Sequence, residues 1–225
     1  MRIAVLIAVS LLAACSHATV KPPEQPTTST SGSARPATTS PTPAPAAPPR
    51  TGAPIADVIG WIEAGRPADA ARYHTATRDG QSTQLGDDIA FTSPGGPSAP
   101  TACMTDSHHA GGALACLVSL ADPPPRPADV YGEWKGNWVD FDGTTLQVGS
   151  AHGDPGPFQS GDGPKLPDGA ALSFGDYRCR ADHADLFCVN YAHRSAVRFG
   201  SAGVEPFGCL QPAPAPEGVG RFFRC

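Results

Sequence analysis

The placement of the cysteines constrains the fold of this chain more than any other sequence feature. Seven cysteines occur in 225 residues; one is Cys15, and the remaining six lie between residues 103 and 225. An even set of cysteines outside the cytoplasm is most simply a disulfide framework, whereas the same residues in a reducing compartment more often bind metal. The N-terminal sequence therefore decides how the six are interpreted.

The N-terminus has the layout of a secretory signal. Arg2 precedes an apolar run over residues 3–12, which is too short to span a bilayer as a helix. The run ends in Leu12-Ala13-Ala14-Cys15, which resembles the bacterial lipobox. This resemblance implies that residues 1–14 are a lipoprotein signal peptide and that lipid on Cys15 anchors the chain at the extracytoplasmic face of the cell membrane. The alternative, an ordinary signal with an incidental cysteine, would be expected to carry an Ala-x-Ala site.

A linker follows the lipidated cysteine. Residues 15–50 consist almost entirely of Pro, Thr, Ser and Ala beyond Cys15 and contain scarcely any large apolar side chain. Such a segment cannot bury enough surface to fold. In polyproline II conformation, at about 3 Å per residue, it would reach on the order of 100 Å and act as a stalk. A tail with no spacing role is the alternative, and the Thr and Ser residues leave O-glycosylation open.

The remaining residues, 51–225, are enough for a single extracytoplasmic domain with its own core. The formal net charge of the chain is −5, and its few Lys and Arg residues are scattered. Nucleic-acid binding demands a basic patch, so nucleic acid is excluded as a partner. The partners left are the membrane, through the lipid on Cys15, and an envelope protein, glycan or lipid that the sequence does not identify.

Residues 54–64 have the apolar spacing of a short amphipathic helix. Ile55, Val58 and Ile62 fall on one face, Pro54 is placed to open the helix and Gly65 to close it. One or two further helical turns are expected over residues 68–73.

The rest of the domain predicts β-structure. Asp142-Gly143 separates two alternating runs, 136–141 and 144–148, and supplies the positive φ angles of a tight hairpin turn. One early helix followed by many short strands predicts an α+β fold that is mainly antiparallel sheet. Residues 149–169 are expected to form a long loop. The other predicted strands are residues 89–92, 113–120, 171–174, 177–180, 186–190, 196–199 and 221–224.

Six cysteines allow fifteen pairings, and sequence alone does not choose among them. We favour sequential pairing, because each of the first two pairs brackets a plausible strand-turn-strand and the third would hold the chain terminus. The first two pairs also share a pattern of extended run, polar turn and apolar run, which indicates either a duplicated hairpin or chance. The predicted pairs are Cys103 with Cys116, Cys179 with Cys188, and Cys209 with Cys225.

Metal binding is the alternative use of these residues. The sets Cys103, His108, His109, Cys116 and Cys179, His183, Cys188 mix thiols with imidazoles, but neither has a recognised zinc-finger spacing. Five aspartates in or beside the predicted loop suggest a calcium site, but the later ligands of an EF-hand loop are missing. We expect no metal and no other cofactor. The five aspartates are Asp140, Asp142, Asp154, Asp162 and Asp168.

Catalytic motifs are absent from the sequence. It contains no Gly-x-Ser-x-Gly, His-Glu-x-x-His, Ser-x-x-Lys or phosphate-binding glycine loop. We therefore expect a noncatalytic binding or scaffold module and assign no catalytic residue. The alternative is an envelope hydrolase whose site is assembled in space around His108, beside Asp106 and His109, or around His183, beside Asp182.

Aromatic residues cluster around the predicted hairpin. On a strand, Trp134 and Trp138 share a face with Gly136 between them, which would leave a shallow gap flanked by two rings. With Tyr131 nearby, these residues form a possible binding site for a sugar or an acyl chain. The alternative is that these aromatics belong to the core, where such side chains are more often found.

Several segments resemble the mycobacterial LppI-type lipoproteins. They are residues 131–136 (YGEWKG), 175–180 (GDYRCR), 187–193 (FCVNYAH) and 205–209 (EPFGC). With the lipobox, the stalk and the early helix, the resemblance covers most of the chain. It implies an actinobacterial source and a location in the cell envelope. It implies no catalytic activity.

Overall fold

The computed structural model describes residues 47–95, 99–128, 130–151 and 155–225. Residues 1–46 lie outside this part, so the signal peptide, Cys15 and nearly all of the stalk stay predictions; Asp154 also lies outside it. The residues Pro45–Cys225 form one compact unit. No helix within the described residues is long and apolar enough to cross a membrane.

The predicted N-terminal helix is present. Helix α1 spans Ile55–Glu63, with Pro54 preceding it in an extended conformation and Asp57 in its first turn. Its buried face consists of Val58, Trp61 and Ile62. The expected helical turns after it form a 3₁₀ helix, Ala70–Tyr73.

Fifteen strands make up most of the regular secondary structure of the described residues, which agrees with the predicted α+β class dominated by antiparallel sheet. A 3₁₀ helix, Gly156–Ser160, interrupts the segment 149–169 that was predicted to be a loop, and the strand before it runs on to Ala151. The strands are β1 (Arg66–Pro67), β2 (Thr75–Arg78), β3 (Gln81–Gln84), β4 (Ala90–Ser93), β5 (Thr101–Thr105), β6 (Leu114–Leu117), β7 (Trp134–Phe141), β8 (Thr145–Ala151), β9 (Ala170–Phe174), β10 (Tyr177–Asp182), β11 (Asp185–Asn190), β12 (Ser195–Gly200), β13 (Gly203–Phe207), β14 (Gln211–Ala213) and β15 (Val219–Arg224).

Two sheets pack face to face. The order of the six-stranded sheet is β1-β9-β10-β11-β12-β13, and that of the seven-stranded sheet is β14-β15-β8-β7-β6-β5-β4. Because successive side chains of a strand point to opposite faces, every second side chain points into the space between the sheets. Phe91, Phe141 and Leu146 from one sheet meet Leu186 and Phe199 from the other in a single buried cluster. The domain is therefore a β-sandwich.

Additional elements cover parts of the two outer faces. Helix α1 lies on the six-stranded sheet, where Trp61 contacts Phe187 with 4.8 Å between ring centroids. On the seven-stranded sheet, the hairpin β2–β3 and the 3₁₀ helix Gly156–Ser160 pack over Ala90 and Met104 through Ala76 and Phe158. The neighbouring strands β6, β7 and β8 contribute no residue to this buried cluster on the outer face.

The three predicted disulfide pairs are the pairs in the structure. Cys103–Cys116 joins β5 to β6 and Cys179–Cys188 joins β10 to β11, each between directly opposed residues of antiparallel strands. Both of these disulfides are completely buried between the sheets, and Cys209 and Cys225 are exposed. The two mixed zinc sets therefore have no thiolates to offer.

The similarity between the two buried disulfide hairpins extends to their position in the fold. Strands β4 to β8 and strands β9 to β13 are both antiparallel meanders of five strands, and in each meander the disulfide joins the second strand to the third. In both, an aspartate lies three residues after the first cysteine: Asp106 in one and Asp182 in the other. The carboxylate of each aspartate lies within hydrogen-bond distance of a histidine ring nitrogen. The two disulfide hairpins thus occupy equivalent positions in their meanders.

Candidate functional site

The three aromatic residues of the predicted site lie in different environments. Trp138 is 3% exposed and Tyr131 is 93% exposed, while Trp134 is half-buried. Trp138 contacts Phe158 edge to face, with 5.2 Å between ring centroids, and its indole N–H donates to Asp140 at 2.9 Å. Trp138 is thus integrated into the packing of the sheet, whereas Tyr131 stands in solvent.

The gap expected between the two tryptophans is filled by the chain itself. A Cβ on Gly136 would lie 3.0 Å from Pro123 and from the carbonyl oxygen of Pro124. The Trp134 indole N–H donates to that same carbonyl at 3.0 Å. The ring lies against Gly149, where a Cβ would come within 2.7 Å of it. Trp134 therefore fastens the segment with Pro123 and Pro124 to the sheet. This segment occupies the space where an open slot between the two rings was expected.

A cleft of about 590 Å³ lies elsewhere on the same face of the seven-stranded sheet, and we call it the main cleft. Its floor includes Ala115, Asp140 and Gln147, which are directly opposed on the adjacent strands β6, β7 and β8. Asp140 points outward because its neighbours Val139 and Phe141 point into the core. The small side chain of Ala115 leaves space above the β6 side of the floor.

Two segments form the walls of the main cleft. One is the β5–β6 loop, residues 106–113, and the other is the 3₁₀ helix Gly156–Ser160 with Pro155 before it. The complete lining is Asp106, His109, Ala110, Ala113, Ala115, Trp138, Asp140, Asp142, Thr145, Gln147, Pro155, Gly156, Pro157 and Gln159.

Asp106 organises the loop wall. Its Oδ1 accepts the backbone N–H groups of His108 and His109, at 3.1 and 3.0 Å, and the His109 ring nitrogen lies 2.9 Å from its Oδ2. Burial acts to raise the pKa of the Asp106 carboxyl, but the hydrogen bonds from His109 and the charge on that ring outweigh burial and lower it. The carboxylate is therefore ionised at neutral pH.

Asp142 is held by the turn of the β7–β8 hairpin. Its two carboxylate oxygens accept four hydrogen bonds from the backbone and side chains of Thr144 and Thr145, at 2.6–2.8 Å. Burial again acts to raise the pKa, and these hydrogen bonds, those of Thr145 foremost, lower it overall. The hairpin turn predicted at this point is present, with Gly143 at φ 93°, but Asp142 does not have the expected positive φ; its backbone N–H instead donates to the Thr145 carbonyl at 3.2 Å. It also supplies a fixed negative charge to the main cleft.

A second cleft of about 360 Å³ lies on the other side of the β5–β6 loop. It shares Ala110, Ala113 and Asp142 with the main cleft. Tyr177 lines it; its hydroxyl donates to the Phe141 carbonyl at 3.0 Å, and burial raises its pKa to about 12. The other polar groups of the second cleft are those of Asp87, Asp88, Thr105, Ser107, Asp176, Asn190 and His193.

One group within the described residues has the geometry to hold a metal ion: Asp168, Asp182 and His183, whose ligand atoms all lie within 4.8 Å of one another. Asp168 already accepts the backbone N–H of His183 at 2.6 Å. Both aspartates also interact electrostatically with the buried guanidinium of Arg180. Burial lowers the pKa of Arg180, and the negative charges of the two aspartates oppose part of that shift. Hairpin geometry and charge balance therefore account for this group without an ion.

The aspartates weighed for calcium are not gathered at one point. Asp142 accepts four hydrogen bonds from Thr144 and Thr145, and the backbone of Asp162 pairs with Thr77. Asp140 accepts from Trp138, and Asp168 belongs to the hairpin group just described. Among the described residues, these four aspartates do not assemble into one calcium site.

The histidines proposed for hydrolysis lack an adjacent nucleophile in the main cleft. The described lining contains no serine or cysteine, and the hydroxyl of Thr145 donates to Asp142 at 2.7 Å. His109 lines the main cleft, whereas His108 is exposed and does not line it. His183 lies at the β10–β11 turn, 3.3 Å from Asp182. Of the two neighbouring histidines, His109 and not His108 is therefore the candidate for a hydrolytic role in the main cleft.

The fold and the site define a disulfide-bonded β-sandwich with an acidic cleft on the outer face of one sheet. Comparison with known proteins adds no family to this description: no protein-family model, no curated protein and no solved structure matches the chain.

Sequence reasoning missed most of the cleft. It identified Trp138 as a candidate binding residue, named Asp106 and His109 beside a possible hydrolytic site, and considered Asp140 and Asp142 as calcium ligands. Ala115, Gln147 and Gln159 were not considered, because nothing in their spacing marks them. The only usable signal was alternation along β6, β7 and β8, which places Ala115, Asp140 and Gln147 on outward positions.

Proposed function

We propose that this chain is a lipid-anchored, noncatalytic binding module of the cell envelope, which holds its ligand in the main cleft. The cleft itself carries the proposal. A volume of about 590 Å³ is within the range of small-molecule sites, roughly 300–1,000 Å³, and the lining combines a few convergent polar groups with the small apolar side chains of Ala110, Ala113 and Ala115. The floor belongs to a sheet fastened internally by a buried disulfide, so the site is preorganised.

The state of the polar groups supports binding over catalysis. A nucleophile or general base needs a side chain free to exchange a proton with the substrate. Thr145 and Asp142 are engaged with each other, and the Asp106 carboxylate holds the β5–β6 loop. These groups are arranged to maintain shape and charge.

The envelope location rests on the sequence. The lipobox-like Leu12-Ala13-Ala14-Cys15, the Pro-rich segment and the resemblance to LppI-type lipoproteins all favour an anchored protein. Three disulfides are consistent with an oxidising compartment. Replacing Cys15 with Ala is expected to move the protein from the membrane fraction to the soluble fraction. A C15A chain that stays membrane-bound would refute the anchor.

Site-specific photocrosslinking in native cells tests the binding function. A photoreactive residue at Gln159, an exposed position in the cleft wall, is expected to capture an envelope component. The matched control is Ser173, which is also exposed and lies on β9 of the other sheet. Filling the cleft with Ala113→Phe should abolish capture at Gln159. Equal capture from both positions, or capture that survives the filled cleft, would refute the proposed site.

Hydrolysis is the second candidate function, and one observation favours it. The 2.9 Å contact between His109 and Asp106 is the arrangement of an oriented general base at a cleft rim. If the protein is a hydrolase, His109→Ala should abolish its activity on an envelope substrate and leave the melting temperature unchanged, and His108→Ala should have little effect. An activity insensitive to His109→Ala would exclude this site.

A further inference from the structure

The dipeptide Asp-Gly occurs four times in the sequence. An aspartic acid followed by glycine can cyclise, because glycine has no Cβ to hinder the approach of its backbone nitrogen to the neighbouring carboxyl carbon. In a folded protein the reaction depends on how firmly the carboxyl group and the peptide nitrogen are held. The four pairs are Asp79-Gly80, Asp142-Gly143, Asp162-Gly163 and Asp168-Gly169.

Cyclisation converts aspartate to isoaspartate without an enzyme. The glycine nitrogen attacks Cγ of the protonated aspartic acid, a C–N bond forms, and the carboxyl hydroxyl leaves with the amide hydrogen as water. One water molecule then opens the five-membered imide. Cleavage of the bond between the nitrogen and the original backbone carbonyl carbon leaves the main chain running through Cγ, which is isoaspartate. Cleavage of the other C–N bond restores aspartate, so the mass is unchanged in either case.

Two of the four pairs lie in contacts that ring closure would disrupt. The Asp142 carboxylate accepts four hydrogen bonds from Thr144 and Thr145. Burial acts to raise the pKa of Asp142, but these bonds lower it overall and keep the group ionised, and a carboxylate is a poor electrophile. The carbonyl of Asp162 accepts the Thr77 backbone N–H at 2.8 Å, so the peptide group that follows Asp162 is fixed.

The pair Asp168-Gly169 is also held on both sides. The Asp168 carboxylate accepts the His183 backbone N–H at 2.6 Å, and the Asp168 carbonyl accepts the Arg66 guanidinium at 2.7 Å. The Gly169 N–H, whose nitrogen would be the nucleophile, donates to the Ala181 carbonyl at 2.8 Å. Ring closure here requires the loss of several hydrogen bonds.

Asp79-Gly80 is the two-residue turn between β2 and β3, with φ angles of 51° and 79°. The Asp79 side chain is 94% exposed, and its ion-pair contact with Arg78 Nε, at 4.0 Å, is of the exposed kind that contributes little. Within the described residues, the Gly80 N–H donates to no backbone carbonyl. A two-stranded hairpin is marginal by itself, so this tip can flex toward the geometry of ring closure.

The same hairpin tip is attached to a wall of the main cleft. Arg78, next to Asp79, donates through Nη1 to the carbonyl of Gln159, which lines the cleft, at 3.0 Å. Isoaspartate adds one carbon atom to the main chain of a turn that only two residues close. The directly opposed pair Arg78 and Gln81 would then lose its register, and with it the support for Gln159.

We propose that Asp79 converts to isoaspartate in the folded protein ahead of the other three Asp-Gly aspartates, and that this modification loosens the Gln159 wall of the main cleft. The reaction needs water alone. The inference goes beyond the proposed binding function: failure of the Gln159 crosslink in cells would overturn that function and leave the chemistry of the turn untouched.

Peptide mapping of the full chain tests the first part. The protein is incubated with its disulfides intact in mildly acidic buffer, which favours the protonated carboxyl group, and a second sample is reduced and unfolded in urea. An endoproteinase that cleaves before aspartate and not before isoaspartate reports each position. In the folded chain we expect residue 79 to react at least about tenfold faster than residues 142, 162 and 168, because these must first lose hydrogen bonds. In urea the four rates should be similar.

A pair of matched variants gives the same comparison at neutral pH. Asn-Gly closes the same ring with loss of ammonia, which changes the mass. Asp79→Asn should lose ammonia at least about tenfold faster than Asp168→Asn when folded, and at a similar rate when unfolded. A folded chain in which residue 142, 162 or 168 reacts as fast as residue 79, or in which residue 79 is unreactive while the unfolded chain reacts, would overturn the assignment.

Hydrogen–deuterium exchange tests the effect on the cleft. After incubation, the wild type should exchange faster than before over the 3₁₀ helix Gly156–Ser160, whereas exchange in β12 should be unchanged. The control is Asp79→Glu, incubated in the same way, because glutamate would need a slower six-membered closure. Unchanged exchange over Gly156–Ser160 in modified wild type, or an equal increase in Asp79→Glu, would overturn the link between the turn and the cleft wall.

Discussion

Truncation of Trp138 would test whether this residue is structural. Trp138 is 3% exposed, so Trp138→Ala removes almost the whole of a buried indole. Substitutions of this kind cost about 3–5 kcal/mol in the free energy of unfolding. In a domain of this size about 4 kcal/mol lowers the melting temperature by roughly 8–16 °C.

Trp138→Phe separates the ring from its hydrogen bond. The indole N–H donates to the Asp140 carboxylate at 2.9 Å, and a hydrogen bond to a charged group contributes about 1.5–3 kcal/mol. Phenylalanine keeps most of the apolar contact with Phe158 and loses this donor. We therefore expect Trp138→Phe to melt between the wild type and Trp138→Ala.

Tyr131→Ala is the matched control for the aromatic cluster. The side chain is 93% exposed, so its removal should change the free energy of unfolding by no more than about 0.5 kcal/mol. The assay is thermal unfolding followed by circular dichroism, with the disulfides intact. Wild-type melting of Trp138→Ala, or a loss in Tyr131→Ala equal to that in Trp138→Ala, would refute the assignment of Trp138 to the packed structure.

Three further predictions concern the disulfides, a turn and alkaline pH. Mild reductant followed by alkylation under native conditions should label the exposed Cys209 and Cys225 and spare the buried cysteines; mass spectrometry showing uniform labelling would contradict the packing. Gly143→Ala should cost at least about 2 kcal/mol more than Gly80→Ala, because both have positive φ but only the former places a Cβ against a neighbouring side chain, at 2.5 Å. Denaturant midpoints that are equal would refute the clash. Tyr177 has a folded pKa of about 12, above its usual 10, so its contribution to stability should be present below pH 10 and lost between pH 10 and 12; Tyr177→Phe should flatten this alkaline loss, and an unchanged pH profile would contradict it.

Local sequence patterns predicted much of the fold. The amphipathic spacing at 54–64 gave helix α1, and the Asp142-Gly143 turn gave the β7–β8 hairpin. The strands that were missed lack a strong apolar pattern. Strands β2 and β3 are polar and largely exposed. Tertiary packing, which no local pattern encodes, decided these strands.

The gap between Trp134 and Trp138 shows where face assignment alone fails. Alternation assumes an unbroken strand, whereas the pairing of β7 with β8 shifts register between Lys135 and Val139. Alternation also does not show what packs against a strand. Pro123 and Pro124 occupy the space above Gly136, and they are ten or more residues away along the chain from Trp134 and Gly136. The structure therefore replaces the expected slot with a packed contact.

The sequence by itself made sequential pairing the simplest of fifteen possible disulfide frameworks, because each cysteine has a partner no more than 16 residues away, across or beside a single turn; the structure contains that pairing. Helix α1 and the Asp-Gly turn were determined in the same way, by interactions between close neighbours in the chain. Only the tertiary structure decided the location of the acidic cleft. Its floor and walls come from the segments 106–115, 138–147 and 155–159, and the pairing of strands brings their side chains together. Such a site depends on register and on which face is left uncovered, and these are set by packing over the whole domain.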